Sequence, residues 1–409
     1  MSRYVRQPKI FMMDLWATVP YYTAYLSKAL LNKRVNLTVG SISYYLDPTC
    51  FSSRGIKLDP GLLNIVGRFQ LPRLPRRVLK LLESILNLSA LTARFLVSHP
   101  DVIHVQFLPM LTSRLPLDLW FVQLCRRRGS KVVLTVHDLL PHNTGETHRH
   151  TYHDLYQMVD RIICHSDTIK QRLCAEYSVR EEKISVIPHG PFFYDLAPAN
   201  PEQALQSFEL DPRKLLVLWQ GIISPYKGID LLLDAWQQVE TSVGDACLLI
   251  AGTGSPELLD QIRGQIGRLR LEHVKLHPRF ISTEELVTLY RAADIVVYPY
   301  RAITTSGALA TGLALGKTIV ASNLAVFREL LTDRENALLI DPQSPAELAA
   351  AMIELSNNKT LRQHLSENVQ QMNFGEESWS SIANKTIECY ELLEFPPGHG
   401  IKNKSPLKG

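Results

Sequence analysis

Short runs rich in Val, Ile and Leu alternate with longer helical stretches along this chain, and the alternation stops once and then restarts. That pattern is the signature of α/β folds with parallel sheets. In the first half it predicts strands at 9–13, 35–39, 102–107, 132–136, 162–165 and 184–187, with helices at 21–33, 77–88, 117–128 and 167–177 between them. A proline-rich, loop-like stretch follows at 188–212. The second half predicts strands at 215–220, 247–251, 274–276, 295–298, 318–321 and 337–340. Its helices are expected at 229–239, 256–269, 283–293, 307–316, 325–331 and 345–356. Ser282 followed by Glu284 and Glu285 supplies a cap and an acidic first turn for the third of these. Two parallel sheets are therefore expected. Ligands of such sheets bind outside the carboxyl ends of the strands, so the loops that follow strands are where chemistry is sought.

Composition agrees with two packed domains. The chain has 409 residues, 45% hydrophobic and 21% charged, with no signature of disorder. No uncharged apolar run approaches the roughly 18 residues of a membrane span, and Asp14 interrupts the short apolar stretch at 10–16, which makes a poor signal peptide. Cys50, Cys125, Cys164, Cys174, Cys247 and Cys389 form no CxxC pair, so neither a zinc module nor a disulfide framework is indicated and a reducing cytoplasm is expected. The net charge of +4 conceals an asymmetry: residues 1–131 hold 19 basic and 6 acidic side chains, whereas residues 201–409 are net acidic. A basic first domain suits an anionic membrane, an acidic acceptor or nucleic acid.

Three strand-to-helix loops of the second half carry chemistry. The stretch from Gln220 and Gly221 to Lys227 and Gly228 opens a helix, whose unpaired N–H groups favour an anion, and Lys227 adds a cation there. A surface lysine before a Gly-initiated helix is the alternative reading. Tyr298 to Gly307 leads into a second helix that Thr304, Thr305 or Ser306 can cap, with Gly307 permitting close backbone approach; an ordinary capped helix is the alternative. Gly252-Thr253-Gly254 is a third such turn, alternatively just a tight bend.

Taken in order, these segments resemble the C-terminal domain of GT-B glycosyltransferases of the retaining family-four, glycogen-synthase-like type. Gly221 to Gly228 resembles the family's GR–spacer–KG segment, and residues 251–254 its GxG turn. Phe280 to Pro299, with Ala293-Asp294, resembles the stretch ending in PS, and ALGKTIVAS at 314–322 resembles AcGtPVias. Glu329 with residues 336–339 resembles the segment that follows. In the first half His137-Asp138, at a strand end, resembles the family's loop histidine, and His189-Gly190 its vipNG segment. The family's diphosphate-binding arginine is replaced by Ile222, and its E-x7-E glutamates by Ile303 and Thr311.

The resemblance implies an α/β GT-B fold, two Rossmann-like domains with parallel sheets facing a central cleft. An acceptor-binding domain is expected at 1–195, a linker at 196–212, a nucleotide-sugar-binding domain at 213–377, a helix crossing back at 378–395 and a flexible tail at 396–409. It implies a glycosyltransferase of the hexosyltransferase type that moves a sugar from a UDP- or GDP-sugar to a lipid-linked or polysaccharide acceptor in surface-glycan synthesis. No cofactor is expected, the nucleotide sugar being substrate. Donor-binding residues would be Gly221, Lys227, Gly252, Phe280, Thr305, Ser306, Gly307 and Thr311. Lys227 would stabilise the leaving diphosphate, His137 would touch sugar or acceptor, and Asp138 would be a general base in an inverting reaction.

His148, His150 and His153 match no standard zinc spacing, and a solvated His-rich loop is expected there, with His137 and His142 upstream and no metal. Basic and apolar residues interleave at 68–80, so Arg73, Arg76, Arg77 and Lys80 are expected to contact an anionic membrane from the cytoplasmic side; a solvated basic face is the alternative. The triple arginine Arg126-Arg127-Arg128 reads as a helix C-terminal cap. No motif supports nucleic acid. Two rivals remain: a catalytically inactive, glycosyltransferase-like binding subunit, and a nucleotide-sugar epimerase.

Overall fold

The computed structural model describes residues 7–395 apart from 70, 114, 142–144, 198–199 and 373. It divides into one unit formed by Met1–Pro188 with Trp379–Gly409, and a second formed by His189–Ser378. The tail at 396–409 lies outside the described residues.

In the first unit, strands β1 (Ile10–Asp14), β2 (Leu37–Ser41), β3 (Val102–Val105), β4 (Lys131–Thr135), β5 (Arg161–Cys164) and β6 (Ile184–Val186) form one parallel sheet in the order β2-β1-β3-β4-β5-β6. The side chains of β1 and β3 are buried on both faces, which is why these strands read as unbroken apolar runs. Helices α1 (Pro20–Asn32), α2 (Arg73–Val97), α3 (Leu117–Arg127), α4 (Arg149–Met158) and α5 (Asp167–Tyr177) connect them. The strand order reverses between β1 and β3, so this sheet's switch point lies there.

The second unit repeats the plan. Strands β7 (Leu215–Gln220), β8 (Ala246–Ala251), β9 (Val274–His277), β10 (Ile295–Tyr298), β11 (Ile319–Ser322) and β12 (Leu338–Ile340) are parallel in the order β12-β11-β10-β7-β8-β9. The helices are α6 (Pro201–Ser207), α7 (Ile229–Ser242), α8 (Pro256–Leu269), α9 (Thr283–Ala292), α10 (Gly307–Ala314), α11 (Ala325–Arg328), α12 (Pro345–Asn357) and α13 (Lys359–Gln371). Trp219 of β7 and Trp236 of α7 are fully buried in its core. Here the order reverses between β7 and β10, the two strands whose following loops carry Lys227 and Ser306.

A last helix, α14 (Glu376–Glu391), ends in the first unit. Trp379 stacks on Tyr25 with ring centroids 5.5 Å apart and planes at 14°, and Tyr22 meets it edge-on. The Tyr390 hydroxyl and His104 Nδ1 are 2.6 Å apart, and His104 Nε2 lies 2.8 Å from Thr135 Oγ1. Burial pushes His104 down to about 3, so the ring is neutral.

Four elements differ from expectation. Helix α2 runs over Arg73–Val97, twice the expected span, because Ser89 and Thr92 sit on a helix that continues through apolar Leu91 and Phe95. The expected His-rich loop is helical: His148 precedes α4, and His150 and His153 lie on it beside Asp154, at 3.2 and 3.4 Å; His142 lies outside the described residues. The stretch read as a linker forms α6 and buries Phe208. Helix α13 is absent from the expected helices; it is polar on most of its surface and its apolar stripe is narrow, Leu361, Leu365 and Val369 at every fourth position, of which it buries the last two.

Candidate functional site

The loops after β7, β8, β9 and β10 converge at the carboxyl ends of the second sheet, and glycines let them interlock. Gly221 (φ +147°), Gly228 (φ +67°) and Gly252 (φ +149°) adopt backbone that other residues avoid. A Cβ on Gly252 would strike the Gly221 carbonyl oxygen at 1.8 Å, and one on Gly228 would strike that of Pro299 at 1.9 Å. The Ile223 N–H donates to the Thr253 carbonyl at 2.7 Å. Arg301 clamps the same ensemble: its guanidinium forks onto Asp230 at 2.8 and 2.6 Å and donates to the Pro225 carbonyl at 2.9 Å. Arg301 has no place in the sequence expectations. Its signal, an arginine three residues past a strand end, is too common to single out.

Lys227 stands at the centre of this loop cluster. Its Nζ lies 5.9 Å from the Trp219 ring, 5.9 Å from Tyr226 and 5.6 Å from Tyr300. A Cβ on Gly221 would come within 2.7 Å of Nζ. Among the described residues no carboxylate pairs with it. Burial brings the ammonium down to about 8. Three aromatic faces thus hold a cation that lacks a counter-charge.

The second anion-ready loop is more closed than its sequence suggests. Ser306 Oγ accepts from the Leu309 N–H at 3.1 Å and caps α10. Gly307 admits Phe192 and His189: a Cβ there would lie 2.6 Å from Phe192 Cε2 and 3.1 Å from His189 Cε1. Thr311 is buried; its hydroxyl donates to the Gly307 carbonyl at 2.8 Å and accepts from the Phe192 N–H at 3.2 Å. That geometry makes Thr311 a brace between α10 and the 189–193 segment. Thr305 and Phe280 are half-buried beside these loops, and Ile222, where the resemblance expects arginine, is 66% exposed.

In the first unit His137 and Asp138 follow β4. The His137 ring is buried, with Nε2 3.1 Å from Gln106 Oε1, Nδ1 3.4 Å from His165 Nε2, and Tyr22 edge-on at 4.8 Å. His165 Nδ1 lies 3.0 Å from the Ile187 carbonyl, which can only accept, so Nδ1 carries the proton. Burial brings His165 down to about 4, leaving its Nε2 unprotonated. Asp138 is half-buried and its charge acts on His165, opposing the effect of burial. Gln106 and His165 occupy the first position past β3 and β5, which is the signal that could have found them.

The membrane-contact residues separate. The side chain of Arg73 lies outside the described residues, and Arg77 is exposed. Arg76 and Lys80, expected to face lipid, turn instead over aromatic rings of their own unit, Arg76 over Tyr45 and Lys80 over Trp16. They stand on the same face of α2 as the buried Glu83, Ser84 and Asn87, three to four residues apart along the helix. From Val78 onward the helix is inverted: Glu83, Ser84 and Asn87 are buried, whereas Val78, Leu82 and Leu86 are 59%, 51% and 57% exposed. Among the described residues no group of three or more His, Cys, Asp or Glu could hold a metal ion, and no helix is long and apolar enough to cross a membrane.

Comparison with known proteins places this architecture. Residues 19–190 match the model of Glycosyltransferase Family 4, and residues 214–358 that of Glycosyl transferases group 1. The chain is 23% identical over 236 residues to the uncharacterized glycosyltransferase MJ1607 of Methanocaldococcus jannaschii, covering 57% of this chain and 60% of that one. It is 32% identical over 174 residues to the phosphatidyl-myo-inositol mannosyltransferase of Mycobacterium leprae, covering 41% of this chain and 44% of that one. The match thus spans less than two thirds of either relative. The crystal structure of Anabaena Alr3699/HepE in complex with UDP and glucose superposes with a TM-score of 0.73 at 18% identity, over 93% of this chain and all of that one. With both sheets parallel and the two family matches together spanning most of its length, the chain belongs to the GT-B glycosyltransferases of the family-four type.

Proposed function

We propose that this protein transfers a sugar from a nucleotide-sugar donor to a lipid-linked or polysaccharide acceptor in surface-glycan synthesis. The observation that carries this reading is Lys227: a cation with no carboxylate partner among the described residues, caged by three rings at the carboxyl ends of a parallel sheet. A diphosphate supplies the missing charge. As the glycosidic bond to the donor breaks, negative charge grows on that diphosphate, and a positioned ammonium stabilises it without reorganising. The loops carrying Gly221, Gly252, Phe280, Thr305, Ser306 and Gly307 surround the nucleotide in this reading, and Thr311 braces α10 behind it. His137, held between Gln106 and His165, contacts the sugar or the acceptor; Asp138 serves as base if the reaction inverts.

The first unit, 1–188 with the end of α14, would take the acceptor. Peripheral contact with the cytoplasmic membrane face would come from the exposed Val78, Leu82 and Leu86 with Arg77 beside them, since an apolar stripe flanked by cations suits an anionic lipid surface.

One observation favours a second reading, a donor-binding subunit without turnover. Hydrophobic Ile222 and Ile303 and the internally bonded Thr311 stand where the family's arginine and glutamates are expected. A panel of UDP- and GDP-sugars, scored by thermal shift and by release of nucleoside diphosphate with an acceptor extract, separates the two. Stabilisation with release supports transfer. Stabilisation without release in any pairing supports the binding subunit, and no stabilisation by any nucleotide overturns both.

A further inference from the structure

The loops that follow β1 and β2 carry aromatic rings, and α2 lays two cations across them. Lys80 Nζ is 5.5 Å from the Trp16 ring centroid, and Arg76 Cζ is 3.9 Å from that of Tyr45. The two cations are one helical turn apart on the same face of α2 and so repel each other. Among the described residues neither forms an ion pair or donates a side-chain hydrogen bond. The two carboxylates that act on Lys80 also accept backbone hydrogen bonds, Glu83 through Oε1 alone, its Oε2 being buried without a partner among the described residues. Asp14 accepts from the Thr18 and Val19 N–H groups at 2.8 and 3.1 Å, and Glu83 from those of Ile65 and Val66 at 2.5 and 3.2 Å. The Trp16 Nε1–H is buried without an acceptor among the described residues. Burial also pushes the Lys80 ammonium below its ordinary value, with Asp14 opposing.

These donors are built into the fold. Asn64 holds the loop after β2, its side-chain oxygen accepting from the Ser43 N–H at 2.8 Å and its amide donating to Ser43 Oγ at 3.0 Å. Asn87 of α2 accepts from the Leu63 N–H at 2.7 Å and donates to the Leu63 carbonyl at 2.9 Å. Tyr45 fixes the plane of the Arg76 guanidinium, which leaves its N–H edge for a forked oxyanion contact. Trp16 follows β1, one of the two strands at this sheet's switch point.

We propose that Trp16, Tyr45, Arg76 and Lys80 form a subsite for an anionic sugar, one bearing a phosphate or a carboxylate. The two cations and the indole N–H take the oxyanion, and the rings flank the sugar's apolar face. Calling this sugar the acceptor rests on the glycosyltransferase reading; the subsite itself does not.

The test is calorimetry on the full chain with UDP saturating, so that the probes cannot report on the donor loops. The probes are glucose 1-phosphate, glucuronate, inorganic phosphate and glucose, titrated into the wild type and the Arg76→Gln/Lys80→Gln double variant. Glucose 1-phosphate and glucuronate should bind the wild type at least about tenfold more tightly than the variant, as expected for lost charge-assisted contacts. Glucose should not distinguish the two. Equal binding of both acidic sugars to the two proteins overturns the subsite. Inorganic phosphate binding as tightly as glucose 1-phosphate overturns the sugar assignment. Loss of binding to phosphatidylglycerol vesicles in the variant, with acidic-sugar binding unchanged, would assign the cations to a membrane face instead. Should the double variant not fold, the charge-conserving exchange Arg76→Lys/Lys80→Arg and a salt titration of the wild type decide: affinity for glucose 1-phosphate must persist in the former and fall with salt in the latter. UDP binding by the wild type is measured separately. Its failure would remove the donor reading, while the acidic-sugar difference would still stand or fall alone.

Discussion

At the residue scale the site depends on one ammonium. With Ile222 in the place of an arginine, Lys227 carries the positive charge at the diphosphate alone in the proposed reaction. Lys227→Ala should lower turnover at saturating donor by at least about tenfold, since removing a transition-state donor costs on the order of 10²–10³ in rate in favourable cases. Near-wild-type turnover in a folded sample would end the assignment. A second prediction follows from the value of about 8 imposed by burial. A lysine with a lowered pKa is charged below it and neutral above it, and only the charged form pairs with a diphosphate. UDP affinity should therefore be level below pH 7 and weaken toward tenfold per pH unit above about pH 8. The Arg301–Asp230 pair beside the loop keeps its charges across this range, and Tyr300 stays neutral because burial raises its hydroxyl. A Lys227→Ala protein should lose the pH dependence along with the affinity, which titration at pH 6 to 9.5 would check.

At the scale of elements, α9 and α2 make opposite predictions. Ser282 and Glu285 form a complete capping box at the start of α9, so Ser282→Ala should cost about 1 kcal/mol, read by denaturant unfolding. On α2, exchanging Val78, Leu82 and Leu86 for glutamine should leave stability within about 0.5 kcal/mol, because these side chains already face solvent. The same exchange should release the protein from anionic liposomes if the proposed contact holds; unchanged sedimentation with the vesicles would refute it. The strands of the described residues were legible from apolar runs and breakers, most directly β1, β3, β8 and β10, since a doubly buried parallel strand writes its burial into its composition. The helices were legible where the apolar face is broad: α13 offers only the narrow stripe Leu361, Leu365 and Val369, α4 reads as a cluster of histidines, and α2 inverts the usual rule over its middle turns. In the site, loop positions after strands could be named from the motifs. Which side chains turn inward could not, because the buried stripe of α2, with Arg76 and Lys80 leading into Glu83, Ser84 and Asn87, is polar, so the apolar period points to the wrong face. The Thr311 brace and the Arg301 clamp depend on partners more than seventy residues away in sequence, and no local pattern announces them.

At the scale of the whole molecule, the first unit is completed by residues from the far end of the chain. Trp379→Ala would remove the stack on Tyr25 and leave a cavity in that unit; the loss should be about 3–5 kcal/mol. Hydrogen exchange should quicken in β1 and β3 while β7 and β8 keep their protection, and uniform quickening would show instead that the two units unfold as one. The same discontinuity bears on synthesis. A ribosome making about 5–20 residues per second needs roughly 10–40 s to pass from Pro188 to Trp379. Over that interval the nascent first sheet lacks Trp379 and Tyr390, while the second unit becomes complete in sequence before it. The half made first is therefore the half finished last, and any factor that shields nascent chains would meet Tyr22, Tyr25 and His104 uncovered.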